Sequence, residues 1–206
     1  MNRINKPSPA RPFALGIAVA AALVLAGCGS DAPAKPEPPL AGARIGGDFT
    51  LTGSQGQTVR WGDFSGKYRV VYFGYTFCPD VCPTDVQRIA QGLKRLGTTD
   101  PAAAEKIVPI FISVDPERDT PKVVGEFAAA FSPDMVGLTG TPEQIAAAAK
   151  AFAVAYGKGE AQPGGGYLVD HSRIVFLFGP DGAPIATLPT DKGADAVAAE
   201  LKRWVS

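Results

Sequence analysis

The sequence predicts an α/β sandwich, and three features carry that prediction. Two nearly continuous apolar, β-rich runs, residues 69–75 and 107–114, read as strands buried on both faces of a sheet. Each is followed by a segment with apolar residues at helical spacing. The chain then closes with two short apolar runs around Gly179-Pro-Asp-Gly182 and a last amphipathic stretch, so alternating strands and helices end in a hairpin and a helix.

The elements follow in order. Residues 48–61 read as a hairpin turning at Ser54-Gln-Gly-Gln57, and 62–67 as a loop before the first buried strand. Pro83-Thr84-Asp85 has the form of a helix start, with proline first and an acid in the first turn. Val86, Ile89, Leu93 and Leu96 give that helix one apolar face. After the second buried strand, Thr120-Pro121 caps a helix carrying Val123, Val124, Phe127 and Phe131. Residues 135–138 form a short strand. Thr141-Pro-Glu-Gln144 is a capping box opening an alanine-rich helix toward Phe152. Residues 153–156 read as a further short strand, and 164–170 as a flexible, glycine-rich lead into His171. Residues 172–178 and 183–188 are the strands of the closing hairpin. Residues 191–205 form the last helix, with Val197, Leu201 and Trp204 inward. The expected fold is a thioredoxin-like three-layer sandwich with an added N-terminal β-hairpin.

The first residues are of a different kind. Arg3, Lys6 and Arg11 precede an apolar stretch, 13–26, that falls short of the ~20 residues of a membrane span. It ends in Leu25-Ala26-Gly27-Cys28, which resembles the lipobox of bacterial lipoproteins, in which the Gly-Cys bond is cut and the cysteine acylated. Residues 1–27 are therefore expected to be a lipoprotein signal peptide, and 28–45, rich in Pro and Ala, a lipid-anchored tether. Residues 46–206 remain as one domain, large enough for its own core. The chain holds 20 basic and 20 acidic side chains, and residues 1–27 take three of the basic ones and no acid. The exported part carries 17 basic against 20 acidic side chains, a net charge of −3. That excludes the strongly basic face a nucleic-acid partner requires and leaves membrane attachment to the lipid.

The chemistry is concentrated in Cys78-Pro79-Asp80-Val81-Cys82 and His171. With Cys28 consumed by lipid, these are the remaining thiols, and His171 is the single histidine. Two soft thiolates one helical turn apart plus one imidazole suit copper, and less exclusively zinc; the two thiols could instead close a disulfide. A purely structural bridge enclosing three residues would restrain little chain entropy. The motif follows a central strand at its carboxyl edge, where ligands collect in such sheets, and the helix N-terminus should make both cysteines thiolate-like. Thioredoxins dock peptides with a proline before the closing hairpin; Val169-Asp-His-Ser172 offers an imidazole there instead. Asp80 and Asp170 are candidates for weak fourth ligands, and Phe77 for an apolar wall beside the metal. Asp115, Arg118 and Asp119 read as a turn and helix lead-in.

Three blocks, Tyr75-Thr-Phe-Cys-Pro-Asp-Val-Cys-Pro83, Ser113-Val-Asp-Pro-Glu-Arg-Asp-Thr-Pro121 and Tyr167-Leu-Val-Asp-His-Ser172, resemble the signature blocks of the SCO/SenC family of membrane-tethered copper proteins that assist cytochrome c oxidase assembly. The blocks stand in family order, and the resemblance covers about residues 46–205. It implies that Cys78, Cys82 and His171 ligate copper, as Cu(I) or Cu(II). It further implies a copper chaperone serving the copper-bearing oxidase subunit, with other envelope copper carriers or thiol reductases as further partners. Many relatives use a transmembrane helix where this chain has a lipobox; both place the domain on the outer side of a membrane, here the bacterial envelope with the inner membrane favoured. The expected activity is binding and transfer rather than catalysis. The rival from another class is a thiol–disulfide oxidoreductase that reduces the acceptor's cysteines through a Cys78–Cys82 redox disulfide. A peroxiredoxin-like peroxidase is disfavoured because Thr76-Phe-Cys78 lacks the Thr-x-x-Cys spacing.

Overall fold

The computed structural model describes Met1, residues 36–162 and residues 165–206, and Glu37–Ser206 forms one compact unit. Apart from Met1, the expected signal peptide and Cys28 lie outside the described residues, as does Gly164 of the glycine-rich lead. At the start of the unit Leu40 and Ile45 pack against the core, and the Leu40 N–H donates to the Ile185 carbonyl (3.0 Å).

The strands are β1 (Thr50–Gly53), β2 (Thr58–Arg60), β3 (Tyr68–Gly74), β4 (Ile107–Ser113), β5 (Val136–Thr139), β6 (Tyr156–Ala161), β7 (Tyr167–His171), β8 (Val175–Phe178) and β9 (Pro184–Thr187). Seven of them form one mixed sheet in the order β2-β1-β5-β4-β3-β8-β9. β3, β4 and β5 are parallel and the remaining pairs antiparallel. All seven residues of β3 are buried, Arg69 among them, as its nearly continuous apolar run predicts. The helices are α1 (Val81–Thr99), the short α2 (Pro101–Ala104), α3 (Pro121–Phe131), α4 (Pro142–Ala151) and α5 (Ala194–Trp204).

Alternation along β3 separates the layers. Tyr72 turns to one face, where its hydroxyl donates to Asp85 of α1, and its neighbour in register, Phe111, meets Phe127 of α3 (4.8 Å between centroids). α5 lies along α1 on this side; a Cβ on Gly92 would sit 2.5 Å from Val197, so only glycine lets the two helices approach this closely. Phe73 turns to the other face and packs on Phe152 at the end of α4 (5.4 Å), which also meets Phe49, Trp61 and Phe178. Burying such a ring contributes ~2–3 kcal/mol, so this aromatic cluster anchors the N-terminal hairpin to the sheet.

The structure moves several expected boundaries. α1 starts at Val81, with Pro83 at its third position rather than its first; the missing N–H is harmless there, because first-turn N–H groups have no partner within the helix. Residues 61–64 form a 3-10 turn that takes the last residue of the expected hairpin and the start of the expected loop. The strand expected at 153–156 begins only at Tyr156. Ala153 has φ +53°, and the N–H groups of Ala153 and Val154 return to the Lys150 and Ala149 carbonyls (3.2 and 2.8 Å), closing α4 with a Schellman turn that usually takes glycine. The strand expected at 172–178 is shorter, Val175–Phe178, and His171 belongs to β7 rather than to a loose lead. β6 and β7 form a separate two-stranded ribbon in which Tyr156 pairs with His171.

Candidate metal centre

β3 ends at Gly74, and the chain turns through Thr76 and Phe77 to reach Cys78 just beyond the carboxyl edge of the sheet. Asp119 fixes this turn. Fully buried, it accepts from the Thr76 N–H (2.9 Å), the Thr76 hydroxyl (2.6 Å) and the Ser113 hydroxyl (2.5 Å). In the sequence Asp119 has the look of a helix lead-in; its burial and its grip on the cysteine loop emerge only from the fold. Cys78 is 9% exposed, and Cys82, in the first turn of α1, is fully buried. The Cys82 N–H points at Cys78 Sγ (3.4 Å).

The ribbon delivers the third group. His171 is half-buried, and its Nε2 lies 3.0 Å from Cys82 Sγ. One donor atom from each of Cys78, Cys82 and His171 falls within 4.8 Å of the other two, and both cysteines are free thiols. His171 Nδ1 is 3.2 Å from the Ser172 carbonyl. A carbonyl can only accept, so Nδ1 carries the proton and Nε2 presents its lone pair to the sulfurs, the tautomer a metal needs. The rings of Tyr72 and Tyr75 stand edge-on to the imidazole at 6.0 and 5.9 Å. These two tyrosines supply the wall expected of Phe77, which is instead 54% exposed. Asp80 and Asp170 are exposed, and neither joins the three-residue cluster.

The two thiols differ, against the expectation that both would be thiolate-like. Burial pushes the Cys78 pKa up, but the hydrogen bonds from Cys82 and from the Asp80 and Cys82 backbone N–H groups outweigh it and hold Cys78 below the ordinary thiol value. Cys82 is pushed well above that value, by burial first and by its hydrogen bond with Cys78 second. His171 is held below the usual imidazole value by burial, which outweighs the pull of the Ser172 carbonyl and Asp85. Metal-free, the site is thus one activated sulfur, one protonated sulfur that donates to it, and an imidazole kept neutral by burial. A metal ion would displace the Cys82 proton.

The fold gives other residues around the site contacts that the sequence does not reveal. Asp85, one turn beyond Cys82, is fully buried and accepts from the Tyr72 hydroxyl (3.2 Å) and from Arg173 Nε and Nη2 (both 3.0 Å). Arg118 donates to Asp115 (2.5 Å), and its guanidinium lies 3.7 Å over Tyr167 and 5.0 Å over Phe77, joining the second sequence block to the third and the first. Tyr167 donates to Asp115 (2.7 Å), which holds the ribbon to the β4–α3 loop. Asp115, Arg118 and Tyr167 lie within the signature blocks, but Asp85 and Arg173 lie just outside them, and nothing local marks their pairing.

Comparison with known proteins matches this arrangement to one family. The SCO1/SenC family model matches residues 37–206. The protein SenC of Rhodobacter capsulatus is 47% identical over 141 residues, 68% of this chain and 61% of SenC. The chain spans about half the length of the curated relatives it matches, 52% for the human mitochondrial SCO1 homolog. Among solved structures, Bradyrhizobium japonicum ScoI with copper bound superposes with a TM-score of 0.69 at 37% identity, covering 78% of this chain and 99% of that one. BsSco, described as a member of the Sco family of cytochrome c oxidase assembly proteins with a disulfide switch, superposes with a TM-score of 0.60 at 25% identity, covering 81% and 95%. Among the described residues no helix is long and apolar enough to cross a membrane.

Proposed function

The chain belongs to the SCO1/SenC family, and on that premise we propose that it is a copper chaperone for cytochrome c oxidase assembly, with Cys78, Cys82 and His171 as its ligands. The observation that carries this reading is the convergence of two sulfurs and one imidazole nitrogen within 4.8 Å, with Nε2 in the metal-binding tautomer. Two thiolates and one imidazole make a trigonal set for Cu(I), and a further ligand completes a Cu(II) site. Copper is cargo here: it leaves by ligand exchange, as the thiols of the oxidase's copper-bearing subunit replace those of the chaperone. Acylation of Cys28 tethers the domain to the outer face of the envelope membrane.

The inequality of the thiols favours a second reading, disulfide exchange. The Cys78 thiolate attacks a disulfide of the acceptor, forming a mixed disulfide and releasing one acceptor thiolate. Cys82, on losing its proton, attacks Cys78 Sγ, closing the Cys78–Cys82 bridge and releasing the second acceptor thiol. Competitive Cu(I) titration of the reduced chain separates the two. Copper chaperoning predicts one tight equivalent, weakened about tenfold or more, ~1.4 kcal/mol, in His171→Ala. Affinity indifferent to His171 overturns the three-ligand site and leaves the reductase.

A further inference from the structure

Cys82 and Asp85 are three residues apart on α1 and so lie on one face of the helix. His171 and Arg173 are two residues apart at the end of β7 and just beyond it. The two segments meet through both pairs at once. The upper rung is Cys82 Sγ to His171 Nε2 (3.0 Å). The lower is a two-point fork, Arg173 Nε to Asp85 Oδ2 and Arg173 Nη2 to Asp85 Oδ1, each 3.0 Å. Asp85 is fully buried while the Arg173 side chain is 47% exposed, so the guanidinium closes over the carboxylate from the solvent side. Tyr72 completes the frame: its hydroxyl donates to the same carboxylate and its ring borders the imidazole.

The histidine needs such a support. β7 is hydrogen-bonded to β6 alone, outside the seven-stranded sheet, and the main sheet resumes only at Val175. Ladder hydrogen bonds of the main sheet therefore do not fix His171 against α1. The contacts of Tyr167 and Lys158 with Asp115 and Glu117 hold the far end of the ribbon, not the end that bears the imidazole. The Arg173–Asp85 fork is what joins that end to the helix bearing Cys82.

We propose that Arg173 and Asp85 are a positioning pair that sets the distance of His171 from the two cysteine sulfurs, and so the strength of the third metal bond. This rests on the reading of Cys78, Cys82 and His171 as copper ligands. It also explains a buried carboxylate that the ligand set does not use. A planar two-point fork suits the task, because it fixes orientation as well as distance.

The test uses the reduced chain with two readouts. Arg173→Met keeps the aliphatic stem and removes the fork. The first readout needs no copper: nuclear Overhauser contacts from the ring of the single histidine to the Tyr72 and Tyr75 rings. They are expected to weaken or vanish in Arg173→Met. The second is Cu(I) affinity, expected to fall about tenfold in Arg173→Met, with no further fall when the same change is made in His171→Ala. Unchanged ring contacts with unchanged affinity overturn the proposal. So does an equal loss of affinity in both backgrounds, which marks a general effect on the fold. If the ring contacts vanish but His171→Ala binds copper like the wild type, the positioning pair stands and the three-ligand reading falls. Should Arg173→Met not fold, the same two readouts on Arg173→Lys, which keeps the charge without the fork, decide the matter.

Discussion

Gly74 and Cys82 are packed so closely that a Cβ added to Gly74 would lie 3.2 Å from Cys82 Sγ and 3.0 Å from the rings of both Tyr72 and Phe111. The last residue of β3 thus makes the room in which the buried thiol sits. Overpacking a site this tight costs ~1–3 kcal/mol, and the yielding atom nearest the metal cluster is the sulfur. Gly74→Ala is therefore expected to lower stability in urea denaturation and also to weaken Cu(I) binding. Gly97→Ala, whose added Cβ meets only Ala104 at an ordinary 3.6 Å, is the control and should leave copper binding unchanged.

Iodoacetamide should find Cys78 and spare Cys82. Cys78, 9% exposed, has the lowered pKa, and Cys82, fully buried, the raised one. The thiolate is the reacting species, so Cys82→Ser should keep the fast labelling and Cys78→Ser should lose it by about tenfold or more. The rate profile of Cys78 should rise at a lower pH than that of a free cysteine, near 8.5. Equal rates in the two single variants would remove the asymmetry on which the exchange reading rests.

What the sequence made legible, and what it hid, divides along one physical line. β3 and β4 were readable because a strand buried on both faces is written as a nearly continuous apolar run, interrupted in β3 by Arg69. The Cys78, Cys82 and His171 set was readable because soft donors are scarce in this chain. β6 was not, because Tyr-Gly-Lys-Gly-Glu-Ala is almost wholly exposed and carries no apolar period. Asp85 was read as a first-turn acid, favourable at any helix start, since nothing local reveals that an arginine 88 residues away covers it. The inequality of the thiols arises from burial and was likewise out of reach.

Asp119 should prove essential to the cysteine loop. Its removal leaves the Thr76 N–H and two hydroxyls without their acceptor in a buried site. Unsatisfied buried donors cost ~1–3 kcal/mol each, with partial relaxation, so Asp119→Ala should lose about 3 kcal/mol. The loss would appear in urea as a lower midpoint at unchanged slope. Asp119→Asn, which keeps an acceptor oxygen, should lose less. A loss under ~1 kcal/mol for Asp119→Ala would show that the loop holds without it.

Arg69 is a buried cation with few polar partners. It is 1% exposed, its Nε and Nη1 are buried without acceptors, and its main compensation is the face of Trp61 at 4.2 Å. Burial holds its pKa below the usual arginine value despite the nearby charge of Asp181. Replacing a buried, unsatisfied cation by an apolar chain of similar length is often stabilising. Arg69→Met should raise stability by about 1 kcal/mol, read as a higher urea midpoint; a lower midpoint would assign the Trp61 contact the larger share.

The acid side of the stability curve should carry the signature of His171. Burial lowers its folded pKa below the unfolded value of 6.5, so protons bind the unfolded chain more tightly. The stability tied to the neutral ring is therefore fully present above pH 6.5 and is lost as the pH falls through the lower folded value. His171→Gln has no such proton to take up. Urea denaturation of the reduced, metal-free wild type and His171→Gln from pH 8 to pH 5 should show a difference that is constant above about pH 6.5 and shifts against the wild type below it. A shift in favour of the wild type would mean that Asp85 and Asp170 stabilise an imidazolium more than burial opposes it. The ring would then meet copper as a cation that must first lose its proton, not as the neutral acceptor that its contact with Ser172 describes.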